Sequence, residues 1–99
     1  AVLVDDMTST AGTLVAAANL LVDAGAASIR AAVSHSLLSE KGVTRLENSP
    51  IEELVITDSV PQRCDTGNKV KVLSVAELLA DAICRIDSNN SVTSLFKIT

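Results

Sequence analysis

Two adjacent carboxylates, Asp5 and Asp6, follow a short apolar run and open an expected polar loop over residues 5–13 that ends in small, hydroxylic residues, Ser9-Thr10-Ala11-Gly12-Thr13. From Leu14 onwards the apolar residues recur at helical spacing, so this loop ends at a helix N-terminus. The first N–H groups of a helix have no intrahelical acceptor and the macrodipole is positive there, which together favour a phosphate. Thr10 and Thr13 can add hydroxyl donors, while Ala11 and Gly12 let the backbone approach a ligand closely. Upstream, Asp5 and Asp6 can accept hydrogen bonds from the vicinal hydroxyls of a sugar. Carboxylates at one end and a phosphate cradle at the other match a ribose 5-phosphate bound in one orientation. The loop lacks the Lys of a Walker A motif, which argues against a nucleoside triphosphate cradle. The plainer alternative is that Asp5-Asp6 ends a strand and Thr10–Thr13 caps a helix. The hydroxyl-rich segment directly ahead of a helix weighs against it.

The elements that must position this loop follow from hydrophobic periodicity. Ala1-Val2-Leu3-Val4 reads as a buried strand, and a start inside a core strand without an initiator Met reads as a piece cut from something longer. Leu14, Ala17, Ala18, Leu21 and Val22 form one face of a first helix, with Gly25 at the position of a helix C′ residue. Ile29–Val33 is expected as a second strand, with Ser34-His35-Ser36 opening a loop. Residues 41–47 give a short, weak helix, and Glu53–Thr57 a third strand. Asp65-Thr66-Gly67-Asn68 carries turn chemistry ahead of a fourth strand at Val70–Leu73. Ser74-Val75-Ala76-Glu77 has capping-box spacing. It introduces a helix whose stripe is Val75, Leu78, Leu79, Ala82, Ile83 and Ile86. This order predicts βαβ crossovers, a mainly parallel sheet flanked by helices on both faces, and ligand sites in the loops after the strands.

Composition narrows the classes. The 99 residues are 47% hydrophobic and 20% charged, which excludes a disordered chain. Phe96 is the single aromatic ring, too few for base stacking, and a formal net charge of −4 offers no footprint for duplex nucleic acid. No apolar run approaches membrane-spanning length, and the sequence holds no basic region followed by an apolar region and a cleavage site, so a cytoplasmic setting is expected. Cys64 and Cys84 are expected as free thiols without function, and no cysteine pair has zinc-ligand spacing. His35 has the chemistry of an acid–base group, yet its place at a strand end favours a turn-capping or interface role.

Val2-Leu3-Val4-Asp5-Asp6-Met7 with Thr10-Ala11-Gly12-Thr13-Leu14 resembles the phosphoribosyl-pyrophosphate binding motif of the ribose-phosphate pyrophosphokinases, a motif shared with type I phosphoribosyltransferases. Later segments separate the two. Ser34-His35-Ser36 resembles the synthetase Thr-His-Gly turn, and residues 48–61 resemble its third strand and following loop. Residues 71–83 and 91–96 resemble the synthetase C-terminus, so the resemblance runs essentially from end to end.

That resemblance implies the C-terminal part of a type I phosphoribosyltransferase-like domain in an enzyme that transfers pyrophosphate from ATP to ribose 5-phosphate with Mg²⁺. It implies that Asp5 and Asp6 hold the ribose hydroxyls and that Ser9, Thr10, Ala11, Gly12 and Thr13 hold the 5-phosphate. The Mg²⁺ would then be mainly substrate-borne. The basic residues that grip ATP in the family lie upstream of the segments present, so the partners implied are ribose 5-phosphate, the remainder of a parent chain and further copies in a homo-oligomer. Ser91, Thr93 and Phe96 resemble a tail that lines an allosteric nucleotide-phosphate site between subunits. Ser9 stands where the family usually has Asp, and Ser36 where it has Gly. The first departure motivates the alternative of a non-catalytic, synthetase-associated regulatory subunit. A type I phosphoribosyltransferase shares the loop but not the later segments.

Overall fold

A computed structural model describes residues 1–62, 64–92 and 95. Four parallel strands form one sheet in the order β1-β2-β3-β4: β1 at Val2–Thr8, β2 at Ile29–Ser36, β3 at Ile51–Thr57 and β4 at Val70–Leu73. Helix α1 (Gly12–Asp23) joins β1 to β2, α2 (Glu40–Glu47) joins β2 to β3, and α3 (Ala76–Asp87) follows β4. The α/β class and the parallel sheet agree with the reading of the sequence.

The two crossover helices, expected to divide between the faces, lie on one. Parallel crossovers are right-handed, so strands added in one direction without reversal place every crossover on the same side. The core accordingly lies on one face, where Ile29, Ala31 and Val33 of β2 and Leu54 and Ile56 of β3 meet Leu14 and Ala18 of α1 and Val43 and Leu46 of α2. The register pairs Val2 with Arg30 and Val4 with Ala32 on the opposite face. There Val2 and Val4 are 69% and 79% exposed.

Two strands run further than their apolar patterns. Asp5–Thr8, expected as loop, continues β1, because Asp5 pairs with Val33, Met7 with His35 and Thr8 with Ser36. Ser34-His35-Ser36 likewise belongs to β2 rather than to a loop. Pairing with a neighbour supplies the backbone partners, so polar side chains do not end either strand.

Helix α3 has the amphipathic stripe expected of it but buries none of its residues. Leu79, Ile83 and Ile86 are all more than half exposed. Its N-terminus is held differently from a capping box. Asp58, just beyond β3, accepts a 2.8 Å hydrogen bond from the Val75 N–H and a 2.7 Å one from the Ser74 hydroxyl. Ser74 Oγ in turn accepts from the Ala76 N–H at 3.2 Å.

Candidate functional site

The chain leaves β1 at Thr8, passes Ser9 and Thr10, and enters α1 through Ala11, whose φ of 60° lies in the left-handed region. Non-glycine residues adopt this conformation at a cost, and such strain concentrates where backbone must meet a ligand. Ala11 is 3% exposed, so the strained residue is locked in place by packing around its methyl group. Gly12 serves another purpose. A Cβ there would stand 3.3 Å from Nη1 of Arg45, so the missing side chain makes room for a guanidinium.

The N-terminus of α1 carries no side-chain cap and no acidic residue in its first turn. Among the described residues the N–H groups of Thr10, Ala11, Gly12 and Thr13 donate no hydrogen bond. Uncapped amides at the positive end of a 12-residue helix present donors to any anion that approaches. They border a pocket of about 170 Å³ lined by Asp5, Met7, Thr8, Ser9, Thr10, Ala11, Gly12 and Thr13. Every residue expected to hold a phosphate thus lies on one cavity, with the Asp5 carboxylate on the same wall.

The two carboxylates are not equivalent. Consecutive strand residues point to opposite faces, and both belong to β1. Asp5 lines the pocket and is half-buried, whereas Asp6 is exposed and lies outside it. Asp5 Oδ1 accepts a 2.8 Å hydrogen bond from the Asp6 N–H, so Asp6 supports its neighbour through the backbone. Met7 and Thr8 line the pocket without having been singled out in the sequence. Their place follows from the extra length of β1.

Asp5 is the one carboxylate at the pocket, and no three His, Cys, Asp or Glu side chains converge among the described residues. That donor set fits Mg²⁺, which takes one or two protein carboxylates and completes its shell with water and substrate oxygens.

The other candidates lie elsewhere. His35 Nδ1 stands 2.9 Å from the Ser59 hydroxyl, and Ser59 and Thr57 both donate to the Ser34 carbonyl, so these groups tie the ends of β2 and β3 together. Ser91 is exposed, and its carbonyl accepts from Arg85 at 3.2 Å. Thr93 and Phe96 lie outside the described residues. Cys64 and Cys84 are free thiols; Cys64 Sγ donates to the Leu38 carbonyl at 3.6 Å. No helix among the described residues is long and apolar enough to cross a membrane.

A parallel α/β sheet here opens a strained, uncapped helix N-terminus onto a small pocket. Residues 1–97 match the family model for the phosphoribosyl synthetase-associated domain, and the chain belongs to that family. It is 47% identical over 96 residues to a ribose-phosphate pyrophosphokinase of Aquifex aeolicus, covering 97% of this chain and 31% of that protein. With the ribose-phosphate pyrophosphokinase of Caldanaerobacter subterraneus it shares 50% identity over 97 residues, again covering 97% and 31%. The crystal structure of phosphoribosylpyrophosphate synthetase from Mycobacterium smegmatis superposes with a TM-score of 0.85 at 36% identity, covering 90% of this chain and 30% of that one. The chain therefore spans about a third of the length of these relatives.

Proposed function

We propose that the chain is the C-terminal part of the phosphoribosyltransferase-like domain of a ribose-phosphate pyrophosphokinase, and that it supplies the site for ribose 5-phosphate. The observation that carries this reading is the uncapped α1 N-terminus opening on the same pocket as Asp5. The amides of Thr10–Thr13 and the Thr hydroxyls hold the 5-phosphate, while Asp5 accepts from the ribose hydroxyls at the other end. Ser9 lines the same wall but brings a hydroxyl where a carboxylate is usual in the family.

In the whole enzyme the 1-hydroxyl oxygen of the sugar forms a bond to the β-phosphorus of ATP, the bond between the α- and β-phosphates breaks, and AMP leaves. Such transfers depend on positioning and charge neutralisation more than on covalent chemistry. Mg²⁺, carried mainly by the substrate, would supply part of that neutralisation, and Asp5 is the pocket carboxylate that would face it. This chain's contribution is to fix the acceptor at both ends so that its 1-hydroxyl faces the donor. The residues that grip ATP belong to the remainder of the parent chain, and the open sheet face with Val2 and Val4 exposed gives that remainder a surface to cover. The reading carries a cytoplasmic location, a homo-oligomeric parent, and an allosteric nucleotide-phosphate site at the segment holding Ser91.

Calorimetric titration tests this reading. The 99-residue chain is expected to bind ribose 5-phosphate with Mg²⁺ more tightly than either ribose or inorganic phosphate. Equal affinity for ribose 5-phosphate and inorganic phosphate, unchanged in Asp5→Ala, would show that the sugar end is not read.

A further inference from the structure

Helix α2 contributes nothing to the lining of the pocket, yet it lies against the back of the phosphate loop at successive points. The Leu37 N–H donates to the Thr8 carbonyl at 2.8 Å, and the Ser39 N–H to the Ser9 carbonyl at 3.2 Å. One residue further along, Nη1 of Arg45 donates to the Thr10 carbonyl at 3.3 Å. Three consecutive carbonyls of the loop are therefore turned towards α2 and the segment that leads into it.

All peptide bonds of the described residues are trans. In a trans peptide the carbonyl of one residue and the N–H of the next point in opposite directions. Holding the Thr8, Ser9 and Thr10 carbonyls towards α2 therefore turns the N–H groups of Ser9, Thr10 and Ala11 away from it, to the side where the pocket lies. Two of the three anchors are backbone groups and do not depend on a side chain. The third is a side chain, and it acts on the peptide beside the strained Ala11. No carboxylate among the described residues pairs with Arg45, so its guanidinium is committed to this contact. A Cβ at position 12 would stand 3.3 Å from it, a close approach that glycine avoids.

We infer that Arg45 is a positioning residue for the phosphate loop: by holding the Thr10 carbonyl it aims the Ala11 N–H into the pocket. This deepens the ribose-phosphate reading and rests on it for the identity of the ligand. The role belongs to the donated hydrogen bond, so either Lys or Gln at position 45 restores it in good part, although Gln carries no charge.

The test compares Arg45→Ala, Arg45→Gln and Arg45→Lys in the 99-residue chain by amide spectra without ligand and by titration with inorganic phosphate, ribose 5-phosphate and ribose. In Arg45→Ala the amide signals of Thr10–Gly12 are expected to shift while those of β3 stay in place. Affinity for both phosphate ligands is expected to fall about tenfold, with that for ribose unchanged. The Gln and Lys variants are expected to return to within about threefold of the parent. Rescue by Lys but not Gln would overturn positioning in favour of charge alone, and loop amides unmoved in Arg45→Ala would overturn it outright. Failure of the parent chain to bind ribose 5-phosphate would sink the proposed function instead, leaving the ligand-free spectra to decide the role of Arg45.

Discussion

Gly42 of α2 packs against the carbonyl of Ser9 so closely that a Cβ at position 42 would stand 2.5 Å from that oxygen and 3.3 Å from the Thr10 carbonyl carbon. No side chain fits between the helix and the phosphate loop there. Gly42→Ala improves intrinsic helix propensity by about 1 kcal/mol, but the clash is with backbone and cannot be relieved by a rotamer change. The substitution is therefore expected to lower stability by about 1–3 kcal/mol, read as a lower midpoint in thermal or urea unfolding. It is also expected to weaken phosphate binding, because the loop must shift.

Leu54 sits at the centre of the sheet with 0% exposure, packed in the one core face. Leu54→Ala removes buried surface and leaves a cavity, at an expected cost of about 2–5 kcal/mol in chemical unfolding. Val4→Thr on the opposite face is the control. Its side chain is 79% exposed, so stability is expected to change by less than about 0.5 kcal/mol. A large loss in Val4→Thr would show that this face is covered in the isolated chain.

Asp58 joins the end of β3 to the start of α3. The Val75 N–H, and after it the Ser74 hydroxyl, hold its carboxyl below the ordinary carboxylate range. A carboxylate with a lowered folded-state pKa stabilises the fold above its unfolded pKa, about 3.9, and loses that contribution as pH falls through the folded value. Relative to their intrinsic rates, the amides at the start of α3 are therefore expected to exchange faster below about pH 4. Asp58→Asn is expected to show much of that acceleration already at neutral pH, and a variant that exchanges like the parent at pH 7 would contradict the assignment.

The turn from β1 into α1 was legible in the sequence because its pattern is local. Hydroxyl and glycine residues directly ahead of a helical period mark a helix start whatever surrounds them. The limits of the elements were less legible, since Asp5–Thr8 and Ser34–Ser36 are strands only through pairing with each other. The difference between Asp5 and Asp6 follows from the same extension of β1, which places them on opposite faces. Arg45 escaped notice because it lies 35 residues from the loop it touches and nothing in its own helix marks it. The stripe of α3 is amphipathic in sequence and in structure, but amphipathicity specifies a face to be covered and not what covers it. In the described residues that face is open.

Amide shift mapping with ribose 5-phosphate and Mg²⁺ tests most directly the proposed hold of residues 9–13 on the 5-phosphate and of Asp5 on the sugar. The signals of Thr10–Thr13 are expected to move furthest, Asp5→Ala to weaken the response by about tenfold or more, and Asp6→Ala to weaken it far less. A response centred on another surface, or equal loss in the two Asp variants, would contradict it.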